Sequence, residues 1–144
     1  MLVSEILRSK DAEGVETIAP GASIGDAASV LSSKRYGALV VSSDGARPEG
    51  ILSERDIVGE IGRTGADCLK RKVSDLMTRK LVTCTRDDTA DHVLALMTDG
   101  RFRHLPVVED GRMVGLISIG DVVKARLKEL SFERDQLESM VAGH

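Results

Sequence analysis

Aromatic side chains are almost missing from this chain: one Tyr, two Phe and no Trp, 2% of the residues. Proteins that bind single-stranded nucleic acid stack bases on aromatic platforms, so that class is poorly served. A formal net charge of −3 also withholds the basic excess expected of a polyanion binder. Cys68 and Cys84 form no CxxC pair and have no histidine nearby, which leaves zinc and redox couples without support. No apolar run approaches the roughly 18 residues of a membrane span. The N-terminus lacks a basic region followed by an apolar stretch, so secretion is unsupported, and a cytoplasmic protein with reduced thiols is expected. A phosphate-cradling GxxxxGK[ST] loop is missing as well. His92, His104 and His144 pair with no clear serine or cysteine nucleophile, so an enzyme is not expected.

What is present is a repeat. Hydrophobic residues make up 42% and charged residues 30% of 144 positions, a normal soluble mixture for about one domain. Within it, residues 15–45 recur 66 positions later: Thr17 on Thr83, Ser23 on Thr89, Arg35 on Arg101, Tyr36 on Phe102, Asp44-Gly45 on Asp110-Gly111. At offset 65, Gly50-Ile51-Leu52-Ser53-Glu54-Arg55-Asp56 lies over Gly115-Leu116-Ile117-Ser118-Ile119-Gly120-Asp121. A lead-in repeats at offset 70, Val3-Ser4-Glu5-Ile6-Leu7 over Val73-Ser74-Asp75-Leu76-Met77. Duplication fixes architecture before any motif is weighed. Each half alone is marginal in size, so the two should share a core, related by a pseudo-two-fold axis with paired clefts between them.

The periodicities give each half the same order of elements. Glu16-Thr17-Ile18 and Val82-Thr83-Cys84 are short extended segments. Ile24, Ala27, Ala28 and Leu31, then Ala90, Val93, Leu94 and Met97, mark one face of a helix, capped by Ser23 and Thr89. Two apolar strands follow in each copy, around 38–41 and 50–52, and around 105–108 and 114–117. Pro106 leaves one amide position of its strand unpaired. A second helix opens at Ser53 or Ser118, with Ile57, Val58 and Ile61, or Val122, Val123, Leu127 and Leu130, expected to be buried. Residues 62–71 look like an exposed linker. The expected division is repeat one over 1–64, repeat two over 65–130, and a helical tail over 131–144 that frays at Ala142-Gly143-His144.

The duplicated Gly-apolar-apolar-Ser-x-x-Asp run, at a strand-to-helix junction, carries the chemistry. A helix N-terminus offers free N–H groups and a positive dipole end to a phosphate. An ionised aspartate offers two acceptors to the vicinal hydroxyls of a ribose. The competing assignment is local: Ser-x-x-Asp is a capping-box variant whose side chains satisfy the helix's own orphan amides.

With these residues, in this order and in two copies, the chain resembles a tandem pair of cystathionine-β-synthase (CBS) domains, a Bateman module, of a stand-alone bacterial type. The supporting pieces are V-S-D-L-M-T at 73–78, R-H-L-P-V-V at 103–108 and both Ser-x-x-Asp runs. The resemblance covers residues 1–130. It implies a mixed α+β or α/β fold of two pseudo-symmetric β-α-β-β-α repeats packed sheet to sheet as one module. It also implies clefts built from both copies, one joining Thr17 and Ala22 to Ser118 and Asp121, the other joining Thr83 to Ser53 and Asp56. The bound ligand would be AMP, ADP, ATP or NAD(H), with no catalytic cofactor. Apolar side chains would have to hold the base, since aromatics are scarce.

The copies differ where Arg103 and His104 replace Gly37 and Ala38. In similar modules basic residues at this point reach phosphates, and arginine's planar fork suits that. Ala38, His104 and Arg103 therefore join the candidate nucleotide-binding residues, as does Arg55 beside Asp56. If Arg103 or His104 meets phosphate, the cleft of Ser118 and Asp121 should favour the more highly charged ligands. Lys34, Arg35 and Arg101 read as solvated helix ends, His92 as exposed, Cys84 as a small buried hydrophobe, and Tyr36 and Phe102 as matched core anchors or, alternatively, as residues bordering the clefts. The expected function is a non-catalytic adenine-nucleotide sensor acting through a homodimer or a protein regulated in trans, without membrane or nucleic acid. The alternative is an oligomerisation scaffold with vestigial clefts.

Overall fold

The computed structural model describes residues 1–10 and 15–142; Gly143 and His144 of the expected frayed end lie outside the described residues. Helix α1 (Val3–Ser9) precedes β1 (Thr17–Ile18), α2 (Ile24–Lys34), β2 (Ala38–Val41), β3 (Gly50–Ser53) and α3 (Glu54–Thr64). A 3-10 turn (Ala66–Lys70) leads to α4 (Val73–Leu76), α5 (Ala90–Gly100), β4 (His104–Glu109), β5 (Arg112–Ser118) and α6 (Ile119–Val141). Ser23 and Thr89 cap α2 and α5 as their positions require, accepting from the N–H groups of Asp26 at 3.0 Å and His92 at 3.1 Å.

The two halves follow one strand-pairing scheme. β1 runs parallel to β2, Thr17 opposite Val40, and β2 antiparallel to β3. In the second half the first strand shrinks to a single parallel bridge between Cys84 and Val107, beside the antiparallel β4–β5 pair. Even so, Val108 N–H donates to Cys84 C=O at 2.9 Å as Ser42 N–H donates to Ile18 C=O at 3.0 Å. Pro106, which cannot donate, uses its carbonyl instead to accept from Cys84 N–H. A β-bulge falls between Val107 and Val108.

Burial shows two clusters, one in each half, and the lead-ins are exchanged between them. Val3 and Ile6 of α1 pack with Val93, Met97, Leu105 and Ile117 of the second half. Val73 and Met77 pack with Ile24, Leu39, Leu52 and Ile57 of the first. Backbone bonds fix the exchange symmetrically: Val3 N–H to Asp88 C=O at 2.9 Å, Val73 N–H to Ala22 C=O at 2.8 Å. Each marginal half thus completes its core with a helix from the other copy. Leu39 and Val41 enter one cluster, while the equally buried Val40 alternates to the opposite face of β2.

Three sequence expectations are corrected. Residues 62–71 are exposed apart from Cys68 and the half-buried Leu69, as expected, but they are structured rather than a plain linker: α3 continues to Thr64, a 3-10 turn follows, and the buried Glu60 carboxylate binds Arg63 and Arg71. Val58, Val123, Leu127 and Leu130 are exposed, Val58 by 68%, because α3 and α6 turn one apolar face away from their own half. Tyr36 is exposed rather than a core anchor, and Phe102 is only partly buried against the second cluster.

Candidate functional site

Both Ser-x-x-Asp runs form closed capping boxes. Ser53 Oγ accepts from Asp56 N–H at 3.1 Å while Asp56 Oδ2 accepts from Ser53 N–H at 3.0 Å. In the second copy Ser118 Oγ accepts from Asp121 N–H at 3.1 Å and Asp121 Oδ2 accepts from Ser118 N–H at 2.9 Å. Ser53 and Asp56 both line a cleft, whereas only Ser118 of the second box does; Asp121 faces a neighbouring cavity with Lys10 and Lys124. Two such clefts lie where the halves meet.

The Ser53 cleft has a volume of about 500 Å³. Repeat one supplies Ile51, Ser53, Arg55 and Asp56. Repeat two supplies Leu81 and Val82, then Arg101, Phe102, Arg103 and His104. The Ser118 cleft, of about 320 Å³, inverts the origins: Ser118 and Leu116 from repeat two face Val15 and Glu16, then Arg35, Tyr36, Gly37 and Ala38 from repeat one. Both sizes fall within or near the range of small-molecule pockets.

The structure redistributes the expected site residues. Ser53, Arg55 and Asp56 share one cleft with Arg103. Arg103 therefore does not accompany Ser118, contrary to expectation; position 103 belongs to repeat two's side of the Ser53 cleft, and its equivalent Gly37 borders both clefts. His104 borders both clefts, its ring lying so close to Gly37 that a Cβ there would meet Cε1 and Nε2 at 3.3 Å. Thr17 is held in β1 opposite Val40, with Val15 and Glu16 rather than Thr17 on the cleft wall, and in the other cleft Val82 stands where Thr83 was expected. Ala22 lies away from the cleft, its carbonyl taken by Val73 N–H.

Asp121 is the most altered of the set. Its Oδ2 receives Lys10 Nζ at 2.8 Å, and the same ammonium donates to Leu116 C=O at 2.9 Å. Burial opposes ionisation of this carboxyl, but the bonds from Lys10 and Ser118 outweigh it and hold the pKa below the usual carboxylate value. Burial is also the main reason that the His104 pKa lies below its ordinary 6.5, aided by Lys10 and Arg103 and opposed by Asp121 and Glu54. Cys84 is sealed inside the second core, where burial pushes its thiol up to about 12, the behaviour of an inert hydrophobe.

Four basic cleft residues escaped the sequence reading. Lys10 and Lys80 are equivalents at offset 70, three residues beyond the matched lead-in, and each lines one cleft. Extending that offset would have found them. Arg35 and Arg101 sit at helix C-termini as expected, yet both adopt left-handed backbone, φ 56° and 58°, and both line clefts. Each closes its helix as a left-handed cap, its N–H bonded to Leu31 or Met97 C=O, and stands at the cleft wall.

Comparison with known proteins agrees with this geometry. The CBS domain profile matches residues 3–63 and again 73–128. A mitochondrial CBS domain-containing protein of Arabidopsis thaliana, CBSX3, is 38% identical over 122 residues, 82% of this chain and 59% of the relative. The chain thus spans three fifths of that relative's length, and about a fifth of the next two. Among solved structures, the CBS-domain containing protein ATU1752 of Agrobacterium tumefaciens superimposes with a TM-score of 0.82 at 44% identity, covering 88% of this chain and 99% of that one. The CBS domain pair of protein MJ0100, solved with 5′-methylthioadenosine and S-adenosyl-L-methionine, gives 0.78 at 25% identity over 90% and 98% of the chains. CBSX2, solved with AMP, gives 0.72 at 26% over 88% and 96%. The profile match over most of the chain, twice and in tandem, establishes that this protein belongs to the CBS domain family.

Proposed function

We propose that the chain is a non-catalytic regulatory module that senses adenine nucleotides (AMP, ADP, ATP or NAD(H)) in the clefts between its two CBS repeats. The observation that carries the proposal is the Ser53 cleft. There a helix N-terminus, an aspartate bound within its own turn, and the basic side chains of Arg55, Lys80, Arg101 and Arg103 converge on one cavity. Helix N–H groups and arginine forks match phosphate, the Asp56 carboxylate matches ribose hydroxyls, and Ile51, Leu81 and Val82 offer apolar surface to a base. The ligands in MJ0100 and CBSX2 all contain adenosine, which supports the same class here. Occupancy would be passed on through self-association or a protein in trans, for which the exposed apolar residues of α3 and α6 provide surface.

A scaffold with vestigial clefts is favoured by one specific observation: both Ser-x-x-Asp pairs already satisfy each other, and Asp121 also holds Lys10. A thermal-shift screen of adenine and guanine nucleotides, NAD(H) and S-adenosylmethionine separates the two. An adenine ligand at about 100 times its Kd should add roughly 2.7 kcal/mol, with guanine nucleotides adding less. No shift with any of them at millimolar concentration would leave the scaffold reading in place.

A further inference from the structure

Helix α6 does not stop where the family ends. The CBS match closes at residue 128, yet the helix runs on without a break to Val141. From residue 131 to 142 every side chain is exposed, including Phe132, Leu137, Met140 and Val141. A helical stretch of this length with its side chains exposed throughout is marginal in water. Its sequence nonetheless carries order. Val123, Leu127, Leu130, Arg134, Leu137 and Val141 follow spacings of 4, 3, 4, 3 and 4, the two-position seam of a coiled coil, and all are exposed. The seam is about 27 Å long.

Two features name its occupant. The spacing is palindromic about Phe132: reversed end for end, Val123 meets Val141, Leu127 meets Leu137 and Leu130 meets Arg134. The charge is polar along the axis. Residues 122–131 contain Lys124, Arg126 and Lys128 against Glu129, whereas residues 132–141 contain Glu133, Asp135 and Glu138 against Arg134. A parallel pair would set like charge on like. An antiparallel pair sets the basic half of one helix on the acidic half of the other, with Lys124 and Glu138 at matching flanking positions. Glu133 alone meets its own counterpart, at the centre, where Arg134 of each copy supplies the opposite charge. Phe132 and Met140 lie off the seam.

We infer that α6 pairs antiparallel with α6 of a second copy of this chain, through the seam 123–141. The pairing does not depend on the clefts and stands whether or not they bind a nucleotide.

Sedimentation equilibrium of the full chain tests it. Leu137→Glu places a charge in two symmetry-related layers at once and should weaken self-association by roughly a hundredfold or more. Lys124→Glu should weaken it less, and Lys124→Glu with Glu138→Lys should restore it. Direction is read from nitroxide labels on Ser131→Cys and, separately, Val141→Cys, since Cys68 and Cys84 are buried. Antiparallel pairing brings the labels at 131 together and holds those at 141 about 27 Å apart along the axis. An unchanged dissociation constant for Leu137→Glu, failure of the charge swap to rescue, or close labels at both positions would overturn the inference. Circular dichroism of each variant confirms that the module remains folded.

Discussion

The Ser53 and Ser118 clefts are copies of one another, yet they offer a ligand different chemistry. Each has a capping-box helix start, a lysine from the lead-in and a left-handed arginine (Arg101 or Arg35). The Ser53 cleft adds Arg55 and Arg103, for which the Ser118 cleft has the equivalents Gly120 and Gly37. Its lysine, Lys80, leaves Asp56 to its own turn, whereas Lys10 ties up Asp121 at 2.8 Å. Duplication preserved the scaffold, while substitutions outside the shared motif set the charge. Ligands with several phosphates should accordingly choose the Ser53 cleft, leaving the Ser118 cleft to weaker or less charged ones.

The strongest way to break that difference is to make the Ser53 cleft resemble its copy. Arg55→Ala with Arg103→Ala should lower ATP affinity there by about a hundredfold, since each lost charged hydrogen bond is worth about 1.5–3 kcal/mol in full and both arginines are exposed. Adenosine, having no phosphate, should lose little, as titration calorimetry with both ligands would show. Next in size, Asp56→Ala should cost ten- to a hundredfold for any ligand with an intact ribose. It also removes one half of a capping box, so the melt should record a loss of about 1 kcal/mol. A melt that drops while affinity holds would mean that Asp56 only caps.

Lys10→Met sharpens the comparison from the other side. With Asp121, which the ion pair holds outside the Ser118 cleft wall, released from roughly 1 kcal/mol of attraction and free to turn toward the cleft, adenosine affinity there should rise about fivefold. Competition against 2′-deoxyadenosine checks that the gain comes from ribose hydroxyls.

The smallest effect is in pH. Phosphate beside His104 must raise the imidazole pKa from its lowered value, so binding takes up a proton and tightens as pH falls below about 6.5. The sign for the unliganded protein is the reverse. Its folded His104 pKa lies below the unfolded value, the unfolded chain binds the proton first, and stability falls as pH drops through about 6.5 toward the folded pKa. His104→Gln should flatten both profiles.

Much of this was legible in the sequence, for reasons that also explain what was not. Offsets of 65, 66 and 70 reveal which residues are equivalent, and equivalence alone dictates cap positions, strand pairs and two clefts of mixed origin. It does not say that α1 packs in the other half's core, because Val3 and Val73 are equally apolar and either core would accept them. Nor does an apolar stripe state who covers it: Ile57 and Val122 face their own half, whereas Val58 and Leu127, on the same helices, face outward. Nor does equivalence alone place Arg103: its counterpart Gly37 lines both clefts, whereas Arg103 lines the Ser53 cleft.

Calorimetric titration of ATP into the wild-type chain and into Arg55→Ala/Arg103→Ala tests the central claim most directly. Two unequal sites per wild-type chain are predicted, the tighter one lost in the variant and the weaker one unchanged. Equal sites, no binding, or a tight site that survives the loss of both arginines would contradict it.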